Sequence, residues 1–478
     1  MRIATKPLSG TKLALRVPLL VGALVVSACT DINTPDYNRP GVPDLENNPN
    51  ATLVNAATVG MVVSSRLDAV NYVRYLGIMG REAYYLDQNE SRYVAELVTG
   101  TLNSSSFAGG GLWTNRYGTV RQGYVIQAAL DKLPDGQLTD EQKSGVLGFA
   151  QTFQAIDLSA IANTRAQAPV DVNISPLDPP APLVDRAQVY ARAKQLLDEG
   201  AANLAAGGSS FSFALPTGFT QYGLNTPAGM LKVNRALRAR LDVLTGNYAS
   251  AVALLNGDQT FITTATASIP ELNRGVYYAY SAGSGDITNG LQNPAPQVAD
   301  TILRHDAQET AGGALDNRFV RKTTPFSGRS QLNVFSDLRF THYNTAPFFG
   351  GGGSASPIPI IRNEELILLR AEARYNTGDA AGALADLNFV RTTSGGLEPL
   401  AAADIDTASE FLNALLYERR YSLMYEGGWR WIDLRRFNLL ENPAYRVKDY
   451  PRAGDRAPAA MPIPFNECIA RGGGAESC

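Results

Sequence analysis

Aromatic residues that stand beside glycine, asparagine or aspartate are the residues of this chain best suited to bind a ligand. A sugar presents a face of C–H bonds that stacks on an aromatic ring, and its hydroxyl groups hydrogen-bond to polar side chains at the ring edge. The alternative for each ring is burial beneath its own loop, which is the commoner outcome. The candidate ligand-binding residues are Trp113, Asn115 and Tyr117 beside a triple glycine, then Tyr277, Tyr278 and Tyr280, and finally Tyr343, Phe348 and Phe349.

A cluster of charged residues near the C-terminus could do a second kind of chemistry, the binding of an anion. A mixed cluster of both signs more often forms a structural ion-pair network at a helix end. We therefore predict that it fixes how the last helix pair meets the rest of the protein. Its members are Glu418, Arg419, Arg420, Arg430, Asp433, Arg435 and Arg436.

The motifs of common catalytic sites are missing from the sequence. It contains no G-x-x-x-x-G-K-[ST] phosphate loop, no H-E-x-x-H zinc motif and no G-x-S-x-G nucleophile elbow. Residues 350–355 match G-x-G-x-x-A, but they lead into serine and proline and do not join a strand to a helix. The two histidines, His305 and His342, offer few ligands for a metal ion. We predict no cofactor, no metal ion and no catalytic residue, although paired carboxylates that hydrolyse a glycoside have no sequence spacing to read.

The first 28 residues have the pattern of a secretory signal peptide. Arg2, Lys6, Lys12 and Arg16 precede an apolar stretch that ends at Ala28. This stretch is too short for a membrane-spanning helix, which needs about 20 apolar residues. It runs into Val-Ser-Ala-Cys, which resembles the bacterial lipoprotein signal, in which the cysteine thiol receives a diacylglycerol.

Cys29 would then be the lipidated N-terminus of the mature protein, held in the membrane by its acyl chains. The alternative is a soluble secreted protein whose cleavage site happens to contain a cysteine. Loss of the signal peptide removes four positive charges and no negative charge, and so takes the formal net charge from −3 to −7. An acidic body argues against binding nucleic acid. Residues 29–50 are rich in Pro, Asn and Asp, which is typical of a tether.

The two remaining cysteines lie close together at the C-terminus. Cys468 and Cys478 are separated by a triple glycine. Outside the cytoplasm such a pair can close a small loop, so we predict a disulfide that pins the C-terminal tail.

Apolar spacing predicts helices over residues 51–85, 119–132 and 140–162. Residues 257–357 are rich in Gly, Ser, Thr, Asn and aromatic residues, and we expect loops and short strands there. Long loops on a helical scaffold are where binding surfaces usually lie.

A helix-turn-helix pattern appears twice. In the later copy Leu366, Leu369 and Ala373 form an apolar stripe, Gly378 supplies a left-handed C-cap and Asp379 the next N-cap. A second helix comes next, with apolar residues at spacings of three and four.

The earlier copy repeats this arrangement over residues 237–253, where Asn247 takes the capping place of Asp379. Alanine-rich antiparallel helices of this kind are typical of tetratricopeptide-like units of about 34 residues. Residues 186–204 and 411–424 are predicted to be helices of further units. The fold class is therefore mainly α, an αα superhelical scaffold of tetratricopeptide-like helix pairs with large loop insertions and short strands.

From Ile360 onward the sequence resembles the SusD/RagB family of outer-membrane nutrient-capture lipoproteins. Each matching motif is weak alone, but their order and spacing together are specific. The matching residues are Arg362, Glu364, Glu365, residues 368–378, Ala383, Leu384, Leu387, Asn388, Val390, Arg391, residues 417–420, Leu423, Glu426, Gly427, residues 430–436, residues 461–464 and Glu467.

The resemblance implies a SusD-like fold, a lipid anchor at the cell surface and a SusC-like TonB-dependent barrel as the partner. Ligands in the family are mostly glycans, and peptides in some members. Trp113 is the first choice among the candidate rings because the family's glycan-binding aromatic residues lie in a similar region. The implied organisation is a signal peptide (residues 1–28), a tether (29–50) and a SusD-like domain (51–478), with a helical part to about 260, a loop-rich insertion at about 257–357 and a C-terminal part from about 358.

Two features depart from the family pattern. Gly428 and Trp429 both stand between Gly427 and Arg430, where the family commonly has one residue. Because one extra helical residue turns the rest of the helix by about 100°, Glu426 is not assigned a salt-bridge partner from the family. The family's usual C-terminal ending is also absent.

We predict a lipid-anchored outer-membrane protein that binds a nutrient, a glycan or oligosaccharide and possibly a peptide, and delivers it to a SusC-like TonB-dependent transporter without catalysis. One alternative is a tetratricopeptide-like surface scaffold that binds only proteins. The other is a surface glycoside hydrolase with a deep cleft.

Overall fold

Helices form most of the protein, as the apolar spacing predicts. A computed structural model describes residues 42–172, 179–292, 296–344, 348, 352–442 and 455–473. The α-helices are α1 (Val42–Asn47), α2 (Ala51–Leu67), α3 (Ala69–Met79), α4 (Thr114–Asp131), α5 (Asp140–Thr164), α6 (Arg186–Ala205), α7 (Thr217–Thr220), α8 (Pro227–Leu244), α9 (Tyr248–Leu255), α10 (Ile269–Leu272), α11 (Ile302–His305), α12 (Asn317–Lys322), α13 (Asn363–Asn376), α14 (Ala380–Val390), α15 (Ala408–Ser422), α16 (Trp429–Arg436) and α17 (Phe465–Ala470).

Short strands and turns of other helix types complete the described structure. The π-helical turns are Tyr93–Val98 and Arg391–Gly395, and the 3₁₀ turns are Gly353–Ala355 and Ala402–Ile405. The strands are β1 (Ala83–Tyr85), β2 (Gln167–Pro169), β3 (Leu183–Asp185), β4 (Gly275–Tyr278), β5 (Gln297–Ala299), β6 (Thr323–Gln331), β7 (Val334–Phe340) and β8 (Ile358–Arg362). The mainly α fold is confirmed, and a short helix, α1, lies within the segment predicted as a tether.

The helices of the N-terminal part begin at local capping signals. Asn50 accepts from the Leu53 amide at the start of α2, and Thr139 with Gln142 forms a capping box at the start of α5. Helices α5 and α6 approach closely at Gly148, where a Cβ atom would lie 2.7 Å from the Leu204 amide nitrogen. Glycine at this point therefore sets the distance between the two helices.

The two predicted helix pairs are α8 with α9 and α13 with α14. Gly246 and Gly378 take left-handed conformations between the helices, with φ of 76° and 90°. Asp379 caps α14 by accepting from the Gly382 amide at 2.8 Å. The capping role of Asn247 is wrong, because its side chain makes no cap hydrogen bond at the start of α9; that helix packs on α13 and begins without one.

Three strands between the helix pairs, β5, β6 and β7, form an antiparallel sheet with β1 in the strand order β1-β5-β7-β6, and β4 pairs separately with β8. Residues 83–85 were expected to be helical and are strand β1, because they pair with β5 across more than 200 residues of sequence. Leu332 and Asn333 join β6 to β7 with φ of 48° and 65°, the backbone sign that a tight two-residue hairpin requires. Through the β1–β5 pairing, the sheet joins an N-terminal segment to the loop-rich insertion.

Helices α2 and α3 together, residues Ala51–Met79, are long and apolar enough to cross a membrane. Half of their most apolar window is buried inside the protein. A core helix of a water-soluble domain meets the same criterion. Val54, Met61 and Val73 of these helices pack in the main apolar core.

Candidate functional site

Five of the candidate aromatic rings are buried. Each exposes at most 5% of its surface: Trp113, Tyr277, Tyr278, Tyr280 and Tyr343. Asn115, Tyr117 and Phe348 are half-buried, and Phe349 lies outside the described residues. Because a buried ring has no free face for a sugar, this placement favours the alternative in which the rings pack beneath their loops.

Trp113 shows how these rings are held. Its ring centre lies 4.8 Å from that of Tyr117, and the guanidinium of Arg165 lies 5.7 Å away on the Trp113 ring. Arg165 also donates to the Gly111 carbonyl oxygen at 2.6 Å, and the Tyr117 hydroxyl donates to the Pro169 carbonyl oxygen at 2.8 Å. These contacts fasten the triple-glycine loop to the end of α5. A ligand contact by Trp113 stays a prediction.

A different set of rings follows α3; two of them, Tyr85 and Phe107, are partly exposed, and Tyr93 is buried beside them. We call Arg74, Tyr85, Arg92, Tyr93 and Phe107 the aromatic surface. Tyr85 and Phe107 are half-buried, and the Tyr93 ring centre lies 4.2 Å from that of Tyr85 and 5.0 Å from that of Phe107. The guanidinium of Arg74 lies 4.8 Å from the Tyr85 ring centre, and that of Arg92 lies 4.3 Å from the Phe107 ring centre. Rings and cations therefore lie side by side.

Arg74 is held in one orientation by neutral acceptors. Its Nε donates to Gln297 Oε1 at 3.1 Å, Nη1 to Asn71 Oδ1 at 2.9 Å and Nη2 to the Gly290 carbonyl oxygen at 3.0 Å. The side chain is buried, and no carboxylate of the described residues forms an ion pair with it. A fixed, buried guanidinium without a carboxylate is a strong donor for the oxygen atoms of a ligand.

The loop that carries Phe107 is fixed by Glu96. Its two carboxylate oxygens accept from the backbone amides of Phe107 at 3.0 Å and Ala108 at 2.9 Å. Glu96 belongs to the π-helical turn Tyr93–Val98, and such turns are rare and occur frequently at functional sites. The Phe107 ring is thus positioned by a charge-assisted pair of hydrogen bonds.

Strained backbone flanks the same segment. Arg81 and Leu112 have φ of 55° and 59°, and a non-glycine residue in this region costs on the order of 1–3 kcal/mol. Arg81 donates to the Val98 carbonyl oxygen at 2.6 Å, which ties the end of α3 to the end of the π-helical turn. The surrounding contacts therefore impose the shape of this segment.

The β6–β7 hairpin lies beside the segment. Gln88 Nε2 donates to the Ser330 carbonyl oxygen at 2.8 Å, and Arg329 donates to the Leu86 carbonyl oxygen at 3.0 Å. Phe335 of the hairpin is 55% exposed. The hairpin therefore adds a further exposed ring to the same part of the fold.

Burial keeps the hydroxyl groups of the tyrosines near the aromatic surface protonated. It raises the pKa of the Tyr85 hydroxyl above its ordinary value, although the positive charge of Arg74 opposes the shift. Burial likewise raises the pKa of Tyr75, which packs 6.1 Å from Tyr93. Both hydroxyls stay protonated at physiological pH and can donate hydrogen bonds. Among the described residues, no group of three His, Cys, Asp or Glu side chains is placed to hold a metal ion.

The charged cluster near the C-terminus lies in the interior as ion pairs. Arg419 lies 2.7 Å from Glu372 and 3.2 Å from Asp433, and Arg436 contacts the same two carboxylates at 2.5 Å and 3.0 Å. Burial alone would raise the pKa of Glu372, but Arg436 and Arg419 outweigh it and lower that pKa to about 2. These four residues join α13, α15 and α16.

The other members of the cluster contact different elements. Glu418 pairs with two arginines from outside the cluster, at 2.5 Å and 2.9 Å, and Arg420 pairs with Asp306 at 2.8 Å. Arg435 donates to the Asn163 carbonyl oxygen, and Arg430 is 9% exposed. All of these contacts are internal to the fold.

Glu426, which the sequence left without a partner, belongs to a second buried group. Its carboxylate lies 2.7 Å from Lys322 and 2.7 Å from Arg362, and Arg362 also contacts Glu364 at 2.5 Å. Arg362 and Lys322 lower the pKa of Glu364 to about 2 against the effect of burial. The partners come from α12 and β8, so no spacing near Glu426 indicates them.

The cysteines are only partly covered by the described residues. Cys468 is buried and disulfide-bonded. Cys29 and Cys478 lie outside the described residues. The Cys468–Cys478 pairing and the lipidation of Cys29 therefore stay predictions.

Residues 320–461 match the model of the SusD family, and these residues include the ion pairs of Arg362, Arg419 and Glu426. This match confirms the resemblance to the SusD/RagB family that the C-terminal motifs predict. A SusD superfamily protein from Bacteroides vulgatus ATCC 8482 shares the fold with a TM-score of 0.66 at 17% identity, over 88% of this chain and 97% of that one.

Two further structures are similar to this chain. NanU of B. fragilis aligns with a TM-score of 0.60 at 16% identity, over 87% of this chain and 94% of that one. A structure named laminarin binding SusD-like protein aligns with a TM-score of 0.57 at 19% identity, over 88% and 98%. No curated protein sequence matches the chain. At these identities the structural likeness shows the fold.

The family match and the aromatic surface occupy different parts of the chain. The matched residues contain the buried ion pairs, whereas Arg74, Tyr85, Arg92, Tyr93 and Phe107 all precede them in the sequence. The family match therefore rests on the segment that contains these ion pairs, and the ligand must be argued from the aromatic surface.

Proposed function

We propose that this SusD/RagB protein is a cell-surface lipoprotein that captures a glycan at the aromatic surface and delivers it to a SusC-like TonB-dependent transporter. The observation that supports it most is the position of Arg74, a buried cation without a carboxylate whose guanidinium lies on the half-buried ring of Tyr85. Stacking on the rings and donation to hydroxyl groups are what a sugar needs. A structural relative named for laminarin binding supports the same class of ligand.

Binding in this proposal requires no covalent step. Arg74 and the tyrosine hydroxyls are donors, and the rings provide apolar faces, so the arrangement serves recognition. The protein-scaffold alternative predicts that no polysaccharide binds. The hydrolase alternative predicts that the bound polysaccharide is shortened.

The ligand test is affinity electrophoresis in gels that contain a polysaccharide, with laminarin as the first probe and other soluble glycans after it. Tyr85→Ala and Phe107→Ala should each weaken retention about tenfold, which corresponds to about 1.4 kcal/mol, because each removes one stacking face. Phe389→Ala is the matched control, since Phe389 is a half-buried ring of α14 outside the aromatic surface. Equal retention of wild type and both surface variants by every glycan would contradict the proposal.

The partner test is copurification from the native membrane. The lipoprotein is isolated from detergent-solubilised outer membranes, and the chains that accompany it are identified by mass spectrometry. A TonB-dependent barrel in equal amount is expected. Recovery of the protein alone, or with unrelated chains, would remove the delivery role and leave ligand capture to be judged by the electrophoresis.

The anchor test concerns Cys29. Cys29→Ala should lose incorporation of labelled palmitate and should leave the outer-membrane fraction, because the thiol that carries the lipid is gone. Cys468→Ala is the control and should keep the label. Labelled palmitate in Cys29→Ala would show that the anchor lies elsewhere.

A further inference from the structure

Tyr425, the third residue after α15, is fixed against α3 and β7. It is buried and has a φ of 54°, a left-handed conformation that a non-glycine residue keeps only where its surroundings impose it. Its ring stacks on that of Phe340, with ring centres 4.3 Å apart and 6° between the planes. The ring also lies against Gly77 of α3, where a Cβ atom would lie 2.6 Å from it. The hydroxyl group of Tyr425 therefore has one position.

The Tyr425 hydroxyl and the Arg74 guanidinium share one acceptor. Tyr425 Oη donates to Gln297 Oε1 at 2.6 Å, and Arg74 Nε donates to the same oxygen at 3.1 Å. At the other end of this amide, Gln297 Nε2 donates to the Leu291 carbonyl oxygen at 3.3 Å. An amide oxygen accepts two hydrogen bonds, so both donors are satisfied at once. The reverse orientation of the amide would place its NH₂ group against two donors.

The strand that carries Gln297 places it beside the aromatic surface. Gln297 of β5 is the antiparallel partner of Tyr85 in β1, and the side chains of directly opposed residues lie on the same face of a sheet. The guanidinium of Arg74 lies 4.8 Å from the Tyr85 ring centre. Because Gln297 itself is buried, it meets the ligand site through Arg74.

Tyr425 is also joined to the buried ion pairs of the C-terminal part. The next residue is Glu426, whose carboxylate lies 2.7 Å from Lys322 and 2.7 Å from Arg362. The Tyr425 carbonyl oxygen accepts from the Tyr343 hydroxyl at 3.0 Å. These contacts hold the backbone that carries the ring. The C-terminal part of the fold thus sets the position of the hydroxyl group, which in turn holds the acceptor of a surface cation.

We propose that Tyr425 is a positioning residue of the ligand site and acts through Gln297 on Arg74. Its hydroxyl holds the Gln297 amide in the orientation that Arg74 needs, and a guanidinium with one orientation loses less conformational freedom when a ligand binds. Without the hydroxyl, the amide is free to turn its NH₂ group towards Arg74, and the guanidinium loses a fixed acceptor. This inference rests on the proposed function, which places the ligand at the aromatic surface.

The first test compares Tyr425→Phe with the wild type by affinity electrophoresis, in a polysaccharide that retains the wild type. The substitution removes one oxygen atom and keeps the stacked ring, and affinity should fall about three- to tenfold. Tyr421→Phe is the matched control, because Tyr421 is buried and its hydroxyl donates to the Leu303 carbonyl oxygen at 2.8 Å. The control should keep the wild-type affinity. Equal affinity of Tyr425→Phe and the wild type would overturn the inference.

A second variant tests the route through Gln297. Gln297→Met keeps the length of the side chain and removes the shared acceptor, so affinity should fall at least as far as in Tyr425→Phe. The double variant Gln297→Met with Tyr425→Phe should bind as Gln297→Met alone does, since both substitutions break the same link. Losses that add in the double variant would show that Tyr425 acts by another route, and would overturn the inference.

Side-chain NMR separates this inference from the proposed function, because it needs no ligand. The Arg74 Nε–Hε signal of isotope-labelled protein is assigned by its absence in Arg74→Lys, and the exchange of Hε with water is followed. Tyr425→Phe should speed this exchange about tenfold, and Tyr421→Phe should leave it unchanged. An unchanged rate in Tyr425→Phe would overturn the inference even where glycans bind. Faster exchange, with no retention of the wild type by any glycan, would end the proposed function and leave Tyr425 as the residue that orients Arg74.

Discussion

The interior of the C-terminal part and the aromatic surface use arginine in opposite ways. Arg362, buried at 1% exposure, contacts two carboxylates at 2.5 Å and 2.7 Å. Arg74, buried at 8% exposure, donates to the side-chain oxygens of Gln297 and Asn71, the Gly290 carbonyl oxygen and the Tyr93 hydroxyl, all of which are neutral. In the C-terminal interior the charge of Arg362 is paired with carboxylates of the fold. At the aromatic surface the charge of Arg74 has no carboxylate partner among the described residues.

This difference separates architecture from recognition. A buried arginine that pairs with carboxylates has no hydrogen-bonding capacity left for a ligand, and the loss of either partner leaves an unpaired buried charge. A buried arginine held by neutral oxygens keeps its net charge and its orientation. The ion pairs therefore fix how α13, α15 and α16 meet, and Arg74 keeps the charge on which the proposed binding surface depends.

The largest effect is expected for Arg362→Ala. It would leave Glu364 without its arginine and Glu426 with Lys322 alone, and removal of one partner of a buried pair costs about 3–5 kcal/mol. The free energy of unfolding is measured by chemical denaturation. Arg304→Ala is the control, because the Arg304–Asp337 pair is at the surface and is worth less than about 1 kcal/mol. Equal losses in the two variants would remove the distinction between buried and exposed pairs.

The pH dependence of the free energy of unfolding gives a second test of Arg362→Ala. The pKa of Glu364 is about 2 in the folded protein, below its ordinary value of about 4.5. Its contribution to stability is therefore present above about pH 4.5 and is lost as the pH falls towards 2. In Arg362→Ala this acid-side loss should shrink, since the arginine that lowers the pKa is gone.

Glu82 lies at the border of the two regions and should give the next largest effect. It precedes β1, is 1% exposed, and has one carboxylate oxygen without a hydrogen-bond partner. Burial raises its pKa to about 7, although Arg420, Arg430 and Lys322 oppose the shift. Because the folded pKa lies above the unfolded value, the contribution of protonated Glu82 is complete below about pH 4.5 and is lost as the pH rises through about 7.

Glu82→Gln should remove this dependence. The wild type should lose up to about 3 kcal/mol of its free energy of unfolding between pH 4.5 and pH 8 through this group, and the glutamine variant should not, since an amide does not titrate. Unfolding curves of both proteins at pH 5 and pH 8 measure the difference. Glu90→Gln, at an exposed ion pair, should follow the wild type. Parallel profiles for Glu82→Gln and wild type would show that Glu82 is ionised throughout.

The sequence was sufficient where the physical cause is local. Gly378 predicts where α13 ends, and Asp379 predicts where α14 begins. A left-handed C-cap and an N-cap side chain both act within a few residues of the chain. The apolar spacing predicts the start of α4 at residue 119, whereas the helix begins at Thr114. Asn247 has the right residue type for a cap and does not make the contact, since packing on α13 decides where α9 begins.

The aromatic surface could not be derived in this way. Arg74 and Gln297 hydrogen-bond across 223 residues of sequence, and Tyr85 reaches the surface only because residues 83–85 pair with β5. A glycine-rich and asparagine-rich neighbourhood drew attention to Trp113, which the fold buries. The one local signal was Phe107, which lies between a serine run and the triple glycine. Only the tertiary structure shows that its ring lies beside a fixed cation.

The smallest expected effect is the sharpest test of the comparison. Arg74→Lys keeps the charge and loses the planar fork that four acceptors hold, so polysaccharide affinity should fall about tenfold, or about 1.4 kcal/mol, with a loss of about 1–2 kcal/mol in stability. Arg370→Lys is the matched control, because Arg370 has similar burial and pairs with Asp386 at 2.7 Å. It should lose stability and keep full affinity. If Arg74→Lys behaved in the same way, Arg74 would belong with the architectural arginines and the ligand would have to be recognised by the rings alone.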